Sequence, residues 1–366
     1  MNKTGFGFLR LPRIDQNDEK SVNYELLNDM VDVFLQMGGT YFDTAYTYLG
    51  GVSEEALKKS LVERHPRESF KIADKLPGYQ VKSYEECGHL FNEQLKRCGV
   101  DYFDVYMLHW LNKKNYDLAE KYDEFRFLRE LKESGKAIRI GFSYHDGPEL
   151  LDTILTAHPE IDIVQLQINY LDWHSDSLRA AELYEVAVKH KKQVVVMEPV
   201  KGGSLTNLPL KAGSLLTELR PKESIASWAI RFAASLDHVS IVLSGMNSMD
   251  QLLDNMRDLD PVTDEEYGVL KKAADMIRAN TAIPCTGCGY CTPHCPMQIP
   301  IPRYFSIYND HKRNPDEMWK MRPVYQEISR SFHTASSCIG CHNCERHCPQ
   351  GLQITKFLND IAHAFE

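Results

Sequence analysis

Short apolar runs alternate with longer, mixed segments along the chain from residue 5 to about residue 257. The runs have the length and composition of strands that are buried on both faces of a parallel sheet. In the mixed segments, apolar residues recur every three to four positions, as on the buried face of a helix. The runs predict strands at 5–12, 40–45, 70–75, 102–110, 138–143, 163–169, 193–200 and 239–245. The mixed segments predict helices at 22–37, 54–62, 83–98, 117–134, 148–157, 175–191, 222–234, 249–256 and 264–279.

Eight strands that each precede a helix predict a (β/α)8 barrel, also called a TIM barrel, for residues 1–280. A doubly wound sheet is the alternative for the same alternation of elements. That fold more often carries a G-x-G-x-x-G turn directly after its first strand, whereas Gly5-x-Gly7 opens the first strand here. The barrel is therefore favoured, and residues 281–366 are left for a second, smaller domain.

Two cysteine runs with the same spacing dominate residues 281–366. Each reads C-x2-C-x2-C-x3-C-P, the spacing of bacterial ferredoxins that bind two [4Fe–4S] clusters. Three thiolates of such a run hold one cluster, and the fourth, directly before the proline, commonly reaches the other cluster. The expected ligand sets are Cys285, Cys288, Cys291 and Cys348 for one cluster, and Cys338, Cys341, Cys344 and Cys295 for the other.

Structural zinc and disulfide bonds are the alternatives for these cysteines. C-x2-C pairs also bind zinc, but a zinc site needs four ligands and has no use for a repeated run with a proline after its fourth cysteine. The segment between Pro296 and Cys338 is long for a minimal two-cluster ferredoxin, and helical patches at 303–309 and 324–331 predict a helix-rich variant. A module of this size is expected to have little core of its own, so that cluster binding would help it to fold.

The composition is that of an ordinary globular protein, with 43% hydrophobic and 25% charged residues in 366. The formal net charge of −9 argues against nucleic acid as a partner, because phosphate binding requires concentrated lysine and arginine. No apolar run approaches the ~18 residues of a membrane span, and the first residues show no signal-peptide pattern, so we expect no membrane association. Most of the ten cysteines lie in the two runs, which fits a reducing compartment, and the expected location is cytoplasmic.

Four polar side chains follow consecutive predicted strands, at the end where a (β/α)8 barrel carries its active site. They are the carboxylate Asp43, the phenol Tyr48, the amine Lys75 and the imidazole His109. Each residue alone has an ordinary structural explanation, such as capping a turn, packing at the rim or solvation at the surface. Because all four chemical groups come from adjacent strand ends, together they favour an active site.

These four groups suit acid–base chemistry on a carbonyl. A tyrosine holds its proton to about pH 10, and a nearby ammonium favours the phenolate, so we expect Lys75 to lower the pKa of Tyr48. Asp43 is expected to pair with Lys75 and to orient it. Tyr48 would then be the general acid in reduction and the base in oxidation, and His109 would donate a hydrogen bond to the carbonyl oxygen.

The residues around these positions resemble the aldo-keto reductase family. The matching segments are Phe42-Asp43-Thr44-Ala45-x-x-Tyr48, Ile72-Ala73-Asp74-Lys75 and Leu108-His109-Trp110. The resemblance covers roughly residues 5–257 and implies a (β/α)8 barrel, a nicotinamide cofactor bound without a Rossmann motif, and interconversion of a carbonyl and an alcohol. Together with the cysteine runs, it makes the chain similar to the ferredoxin-fused bacterial branch of that family.

The resemblance also implies positions for the cofactor contacts. Ser143 and Gln165 correspond to residues that hold the nicotinamide carboxamide, and Asn255 corresponds to an asparagine that contacts adenine. Gln251 stands where the family has an arginine for the 2′-phosphate of NADP, and the lysine of that pair is missing as well. A phosphate without such a cation binds poorly, so NADH is an alternative to NADPH.

Three functions are compatible with the complete chain. The leading one is reduction of a small carbonyl substrate, an aldehyde or ketone, to an alcohol with NAD(P)H. The alternative is electron transfer between a ferredoxin-like redox partner and an acceptor, with the barrel as a scaffold or second redox site. Each cluster carries one electron whereas a nicotinamide delivers two, and no flavin motif connects them in the sequence. In the third function the clusters are structural or sense oxygen.

Overall fold

Eight parallel strands close into a barrel in the computed structural model, which describes residues 3–16, 18–175, 178–258, 260–313 and 318–366. The strands are β1 (Thr4–Gly7), β2 (Tyr41–Asp43), β3 (Lys71–Leu76), β4 (Phe103–Leu111), β5 (Ala137–Tyr144), β6 (Ile163–Gln167), β7 (Gln193–Met197) and β8 (Val239–Ser244). Each strand pairs in parallel with its neighbour in the sequence, and β1 pairs with β8 to complete the ring. The predicted (β/α)8 barrel is confirmed, and the doubly wound sheet is excluded because that sheet is open.

The barrel interior follows from the two-residue period of its strands. The inward side chains at mid-height form an apolar cluster of Tyr41, Ala73, Val105, Met107, Ile163, Val195 and Leu243. Two residues further along four of these strands, the same face carries polar groups, namely Asp43, Lys75, His109 and Gln165. Apolar packing therefore fills the barrel, and polar side chains collect at the carboxyl ends of the strands.

The helices of the described residues follow the strands in the expected order. They are α1 (Tyr24–Gln36), α2 (Ser53–Leu57), α3 (Tyr84–Cys98), α4 (Lys113–Lys121), α5 (Glu124–Glu133), α6 (Pro148–Ala157), α7 (Ala180–Lys189), α8 (Leu210–Leu219), α9 (Ile225–Ala234), α10 (Met249–Asn255), α11 (Asp264–Ala279), α12 (Ile301–Arg313), α13 (Met318–Ser331), α14 (Asn343–Arg346) and α15 (Ile354–Phe365). None of them is long and apolar enough to cross a membrane.

Four helical segments differ from the sequence-based prediction. The range 117–134 forms two helices because the chain turns at Asp123, which has a φ of +57°. In the range 54–62, a π-helical turn follows α2. The prediction at 175–191 includes residues 176 and 177, which lie outside the described residues, and α7 is shorter than that range. The pattern did not predict α8.

Residue contacts divide the chain into two units. One contains Met1–Val200 and Ala226–Asp264, and the other contains Lys201–Ile225 and Glu265–Glu366. All eight strands belong to the first unit. The boundary after residue 280 stays a prediction.

The second unit is helical and has a core of its own. Here α12 and α13 extend over both of the helical patches expected between the cysteine runs. The ring of Tyr325 stacks on that of Phe365 at 5.1 Å between centroids and packs against Tyr304 at 4.6 Å. All three rings are buried in an apolar cluster that also contains Cys291 and Cys344. The expectation that this module has little core is therefore wrong, since aromatic residues scattered over three helices come together only in the fold.

Candidate functional site

The four polar groups expected at the strand ends come together in the structure. Asp43 ends β2, and Lys75 and His109 lie near the carboxyl ends of β3 and β4. Tyr48 begins a short 3-10 turn in the loop after β2. All four residues are buried, with at most 8% of their surface exposed. The strand ends therefore bring a carboxylate, a phenol, an amine and an imidazole into one enclosed place.

Lys75 and Asp43 form a buried ion pair. Lys75 Nζ lies 2.6 Å from Asp43 Oδ1 and donates a second hydrogen bond to the backbone oxygen of Thr44 at 2.8 Å. Burial raises the pKa of Asp43, and the adjacent ammonium opposes that increase. Lys75 Nζ also lies 4.9 Å from the centre of the Tyr48 ring. The ion pair thus places an ammonium group beside the phenol.

The pKa of Tyr48 is raised well above its usual value, first by burial and then by the negative charge of Asp43. The net shift is therefore opposite to the expected one, because burial and Asp43 outweigh any lowering by Lys75. The Lys75 ammonium is bound by Asp43 and by the Thr44 carbonyl, so much of its charge is neutralised locally. Tyr48 consequently holds its proton at neutral pH and is suited to donate it.

The imidazole of His109 lies close to Tyr48. Their ring centroids are 5.8 Å apart, and the ring planes are inclined at 77°. Burial lowers the pKa of His109 well below its usual value, and its interactions with Lys75 and His145 act in the same direction. The ring is therefore neutral at physiological pH, and it offers one N–H group to a ligand oxygen without adding a charge.

A β-bulge sets the positions of His109 and Trp110. The register between β4 and β5 shifts between Leu108 and Leu111, and Trp110 has a φ of +62° in the left-handed region. The backbone N–H of Trp110 donates to Ser143 Oγ at 2.7 Å. Bulges are frequent next to active sites, where they redirect a side chain.

Sequence reasoning missed two residues beside this site, Tyr79 and His145. The Tyr79 ring lies 6.2 Å from that of His109 and 5.8 Å from that of Trp110. His145 follows β5 and has its ring 6.3 Å from Trp110, and burial lowers its pKa to about 4. Both residues belong to loops without a motif. The one available signal was their position shortly after a strand that carries a site residue.

Ser143 and Gln165 present polar atoms that fit a carboxamide ligand. The Ser143 hydroxyl accepts a hydrogen bond from Trp110, which leaves its own O–H to donate. Gln165 Oε1 is buried, and it has no hydrogen-bond partner among the described residues. The Gln165 side chain lies against Asp43 and lowers the pKa of that carboxyl group. A carboxamide both donates and accepts, so one donor and one unused acceptor are the groups that it requires.

Polar side chains at both ends of α10 form hydrogen bonds with other groups of the chain. Ser248 accepts a hydrogen bond from the backbone N–H of Gln251, and Gln251 Oε1 accepts one from the backbone N–H of Asn247 at 2.9 Å. Asn255 Nδ2 donates to Ser244 Oγ at 2.9 Å. The last of these bonds joins the end of α10 to the end of β8. Contacts of Gln251 and Asn255 with a dinucleotide stay predictions.

In the cysteine module, the structure places Cys348 with the first run. Burial raises the pKa of the Cys291 thiol, and the neighbouring thiols that raise it further are those of Cys288, Cys285 and Cys348. The fourth cysteine of the second run thus lies beside the first three of the other run. This is the first of the two ligand sets expected from the spacing.

The second set combines the first three cysteines of the second run with the fourth cysteine of the first run. Burial and the carboxylate of Glu345 raise the pKa of Cys344 to about 11, and its neighbouring thiols belong to Cys338 and Cys295. One pocket is lined by Cys295, Cys338, Cys341 and Cys344 together with apolar side chains such as Leu358. Four thiols that converge on one cavity from both runs fit a cubane cluster.

The sulfur atoms of the two cysteine runs are arranged neither as disulfide bonds nor as a single zinc site. All ten cysteines are free of disulfide bonds. Among the described residues, no three sulfurs of the two runs lie within 4.8 Å of one another. Four sulfurs bound to one tetrahedral zinc at ~2.3 Å would be about 3.8 Å apart. The described sulfurs are therefore not arranged as the four ligands of a single zinc ion.

Together, these sites define the class of protein, a (β/α)8-barrel oxidoreductase that carries an iron–sulfur domain. The model of the aldo/keto reductase family matches residues 5–275, and the chain belongs to this family. The model of a 4Fe-4S dicluster domain matches residues 284–352, which contain all eight cysteines of the two runs. The family membership and the fused cluster domain that the sequence indicates are thus confirmed.

Known relatives resemble the barrel. An aldo-keto reductase of Mycobacterium avium is 26% identical over 235 residues, which are 64% of this chain and 76% of the relative. The NADH-specific methylglyoxal reductase of Escherichia coli is 28% identical over 192 residues, which are 46% of this chain and 55% of the relative.

Solved structures show the same architecture. The holo form of aldo-keto reductase AKR11C1 from Bacillus halodurans aligns with a TM-score of 0.59 at 26% identity, over 74% of this chain and 91% of that chain. An aldo/keto reductase from Klebsiella pneumoniae in complex with NADP and acetate aligns with a TM-score of 0.58 at 17% identity, over 74% of this chain and 90% of that chain, and shares the fold.

Proposed function

We propose that the protein reduces the carbonyl group of a small aldehyde or ketone to an alcohol, with NADPH or NADH as the hydride donor, and that its second domain holds two [4Fe–4S] clusters. The observation that carries the proposal is the buried Lys75–Asp43 ion pair beside a protonated Tyr48. His109 adds a neutral hydrogen-bond donor 5.8 Å from the Tyr48 ring, measured between centroids. No further side chain is needed for proton transfer to a carbonyl oxygen.

A nicotinamide dinucleotide, when bound, would supply the hydride for the carbonyl carbon. Tyr48 donates its proton to the carbonyl oxygen, because burial keeps the phenol protonated until a stronger base is formed beside it. The ammonium of Lys75, 4.9 Å from the ring centre, stabilises the phenolate that remains after this donation. The N–H group of His109 aligns the oxygen and supports its developing negative charge.

Ser143 and Gln165 would hold the carboxamide of the dinucleotide through the donor and the unused acceptor described above. Neither Gly245 nor Gln251 offers a cation for a 2′-phosphate, and the aliphatic carbons of Arg10 pack along Gly245. A Cβ atom added at Gly245 would lie 3.1 Å from Arg10 Cβ, so a longer residue does not fit there without a shift. NADPH and NADH are therefore both compared in the test.

Electron transfer with a ferredoxin-like partner is the second candidate function. Ile339, which lies between Cys338 and Cys341, is 64% exposed, so the second ligand set is close to the protein surface. When bound, the clusters supply single electrons, and a surface position favours exchange with a partner. This function requires that reduced clusters deliver electrons to an acceptor, for example oxidised dinucleotide.

The experiment that tests the leading function is carbonyl-dependent oxidation of NADH and NADPH by anaerobically purified protein, measured with a panel of aldehydes and ketones. We expect turnover with at least one dinucleotide. Protein that oxidises neither one with any carbonyl would contradict the proposal. The same assay, repeated across pH, examines the role of Tyr48.

The pH dependence follows from the raised pKa of Tyr48. Reduction requires the protonated phenol, which persists beyond the usual pKa of about 10, so the rate should not fall between about pH 7 and pH 9. Alcohol oxidation requires the deprotonated form, so its rate should rise about tenfold per pH unit over the same interval. A reduction rate that falls through this interval would contradict the assignment of Tyr48 as the proton donor.

A further inference from the structure

Lys75 lies on the part of β3 that extends beyond the end of the neighbouring strand β2. β2 ends at Asp43, opposite Ala73, whereas β3 continues. Buried side chains complete the backbone hydrogen bonds at this point. The N–H of Lys75 donates to Asp74 Oδ1 at 2.8 Å, and the Lys75 carbonyl accepts from Gln94 Nε2 at 3.1 Å. The backbone position of the lysine therefore depends on side-chain contacts from behind the strand.

Gln94, on α3, is held in place by two other elements. Its Nε2 also donates to Glu54 Oε1, on α2, at 3.0 Å. Its Oε1 accepts from the Tyr106 hydroxyl, on β4, at 2.6 Å. All of these side chains are fully buried. Because both amide hydrogens and the amide oxygen are engaged, the amide cannot turn without leaving a buried polar group unpaired.

The Glu54 carboxylate of this network has a counter-ion other than Lys75. Glu54 pairs with Arg97, whose Nε lies 2.7 Å from Glu54 Oε2. Burial, and then the charge of Glu54, raise the pKa of Asp74 well above its usual value. Lys75 therefore keeps Asp43 as its counter-ion, and its ammonium is directed toward Asp43 rather than toward the carboxyl group beside it in the sequence.

We propose that Gln94 is a positioning residue for the reaction, which holds the backbone carbonyl of Lys75 and thereby fixes the Lys75–Asp43 pair beside Tyr48. The inference rests on the proposed function. A displacement of the lysine backbone moves the ammonium relative to Tyr48, and errors of about 1 Å in such groups cost about 100-fold in rate. Gln94 acts through Lys75 and is not itself a catalytic residue.

The test is the Gln94→Met variant, which keeps the approximate size of the side chain and removes its hydrogen bonds. We expect kcat for carbonyl reduction to fall about 10- to 100-fold while the Kd for the dinucleotide changes less than about twofold. In a Lys75→Met background the same change should cause no further loss, because the effect passes through Lys75. An unchanged kcat, or an equal additional loss in that background, would overturn the proposal.

Cys87→Ala is the matched control, since Cys87 is buried on the same helix and belongs to neither ligand set. It is expected to keep kcat even where it lowers Tm. If Gln94→Met does not fold, Tyr106→Phe keeps the ring and removes the hydroxyl that orients the amide, and a severalfold loss of kcat is expected. Unchanged kcat in Tyr106→Phe would then overturn the proposal. Wild-type protein without any carbonyl reduction would overturn the proposed function itself.

Discussion

The Tyr48→Phe variant is expected to lower kcat for carbonyl reduction by a factor of about 10²–10⁴, the usual contribution of a general acid. The phenol is the protonated group that lies beside the Lys75 ammonium, and phenylalanine keeps its ring and loses its proton. The ring packing against His109 is preserved, so the fold and the Kd for the dinucleotide should be nearly unchanged. Steady-state kinetics and a binding titration on the same preparation separate the two quantities.

Tyr79→Phe is the matched control for this variant. Its ring also lies near His109, at 6.2 Å between centroids, but its hydroxyl interacts with Thr47 and Gln80. We expect it to keep kcat within about threefold, well below the loss expected for removal of a general acid. Equal losses in the two variants, or full turnover in Tyr48→Phe, would show that the proton comes from another group.

The Cys341→Ala variant is expected to lose one of the two clusters. Cys341 lines the cavity of the second ligand set, so the iron content should fall from about eight to about four atoms per chain. The module should remain folded, because Tyr304, Tyr325 and Phe365 pack together in its apolar core and Cys341 is not a member of that core. Iron and sulfide analysis together with circular dichroism measure both effects.

The matched control is Cys87→Ser, which changes a buried cysteine outside the two ligand sets and should leave the iron content unchanged. Loss of all iron from Cys341→Ala would contradict two separate ligand sets. Loss of the helical signal would instead show that cluster binding helps the module to fold, as expected from the sequence.

The barrel and the location of its candidate active site could be predicted, because the two-residue period of the strands and the parallel strand order lead to the same arrangement. Strands of period two carry an apolar residue at mid-height and a polar residue two positions later, as Ala73 and Lys75 do. Parallel strands in a closed barrel end on the same side, so position along the chain was sufficient to bring Lys75 and His109 together. The two cysteine ligand sets could also be predicted, because the spacing of the cysteines determines which thiolates reach the same cluster.

Properties that depend on contacts across the fold could not be predicted. The direction of the pKa shift of Tyr48 was not predicted, because burial of the phenol and the adjacent charge of Asp43 raise this pKa and both depend on contacts across the fold. Gln94 looked like an ordinary helix residue, although its amide reaches the Lys75 backbone. The turn at Asp123 also escaped the pattern, because an αL residue there interrupts a continuous helical periodicity.

The most direct test of the central claim follows deuterium from the C4 position of the reduced nicotinamide. Hydride transfer in the barrel predicts an alcohol that carries one deuterium at the former carbonyl carbon for each dinucleotide oxidised. Oxidation of the dinucleotide with reduction of the clusters and no deuterium in the alcohol would contradict carbonyl reduction at Tyr48 and would favour electron transfer.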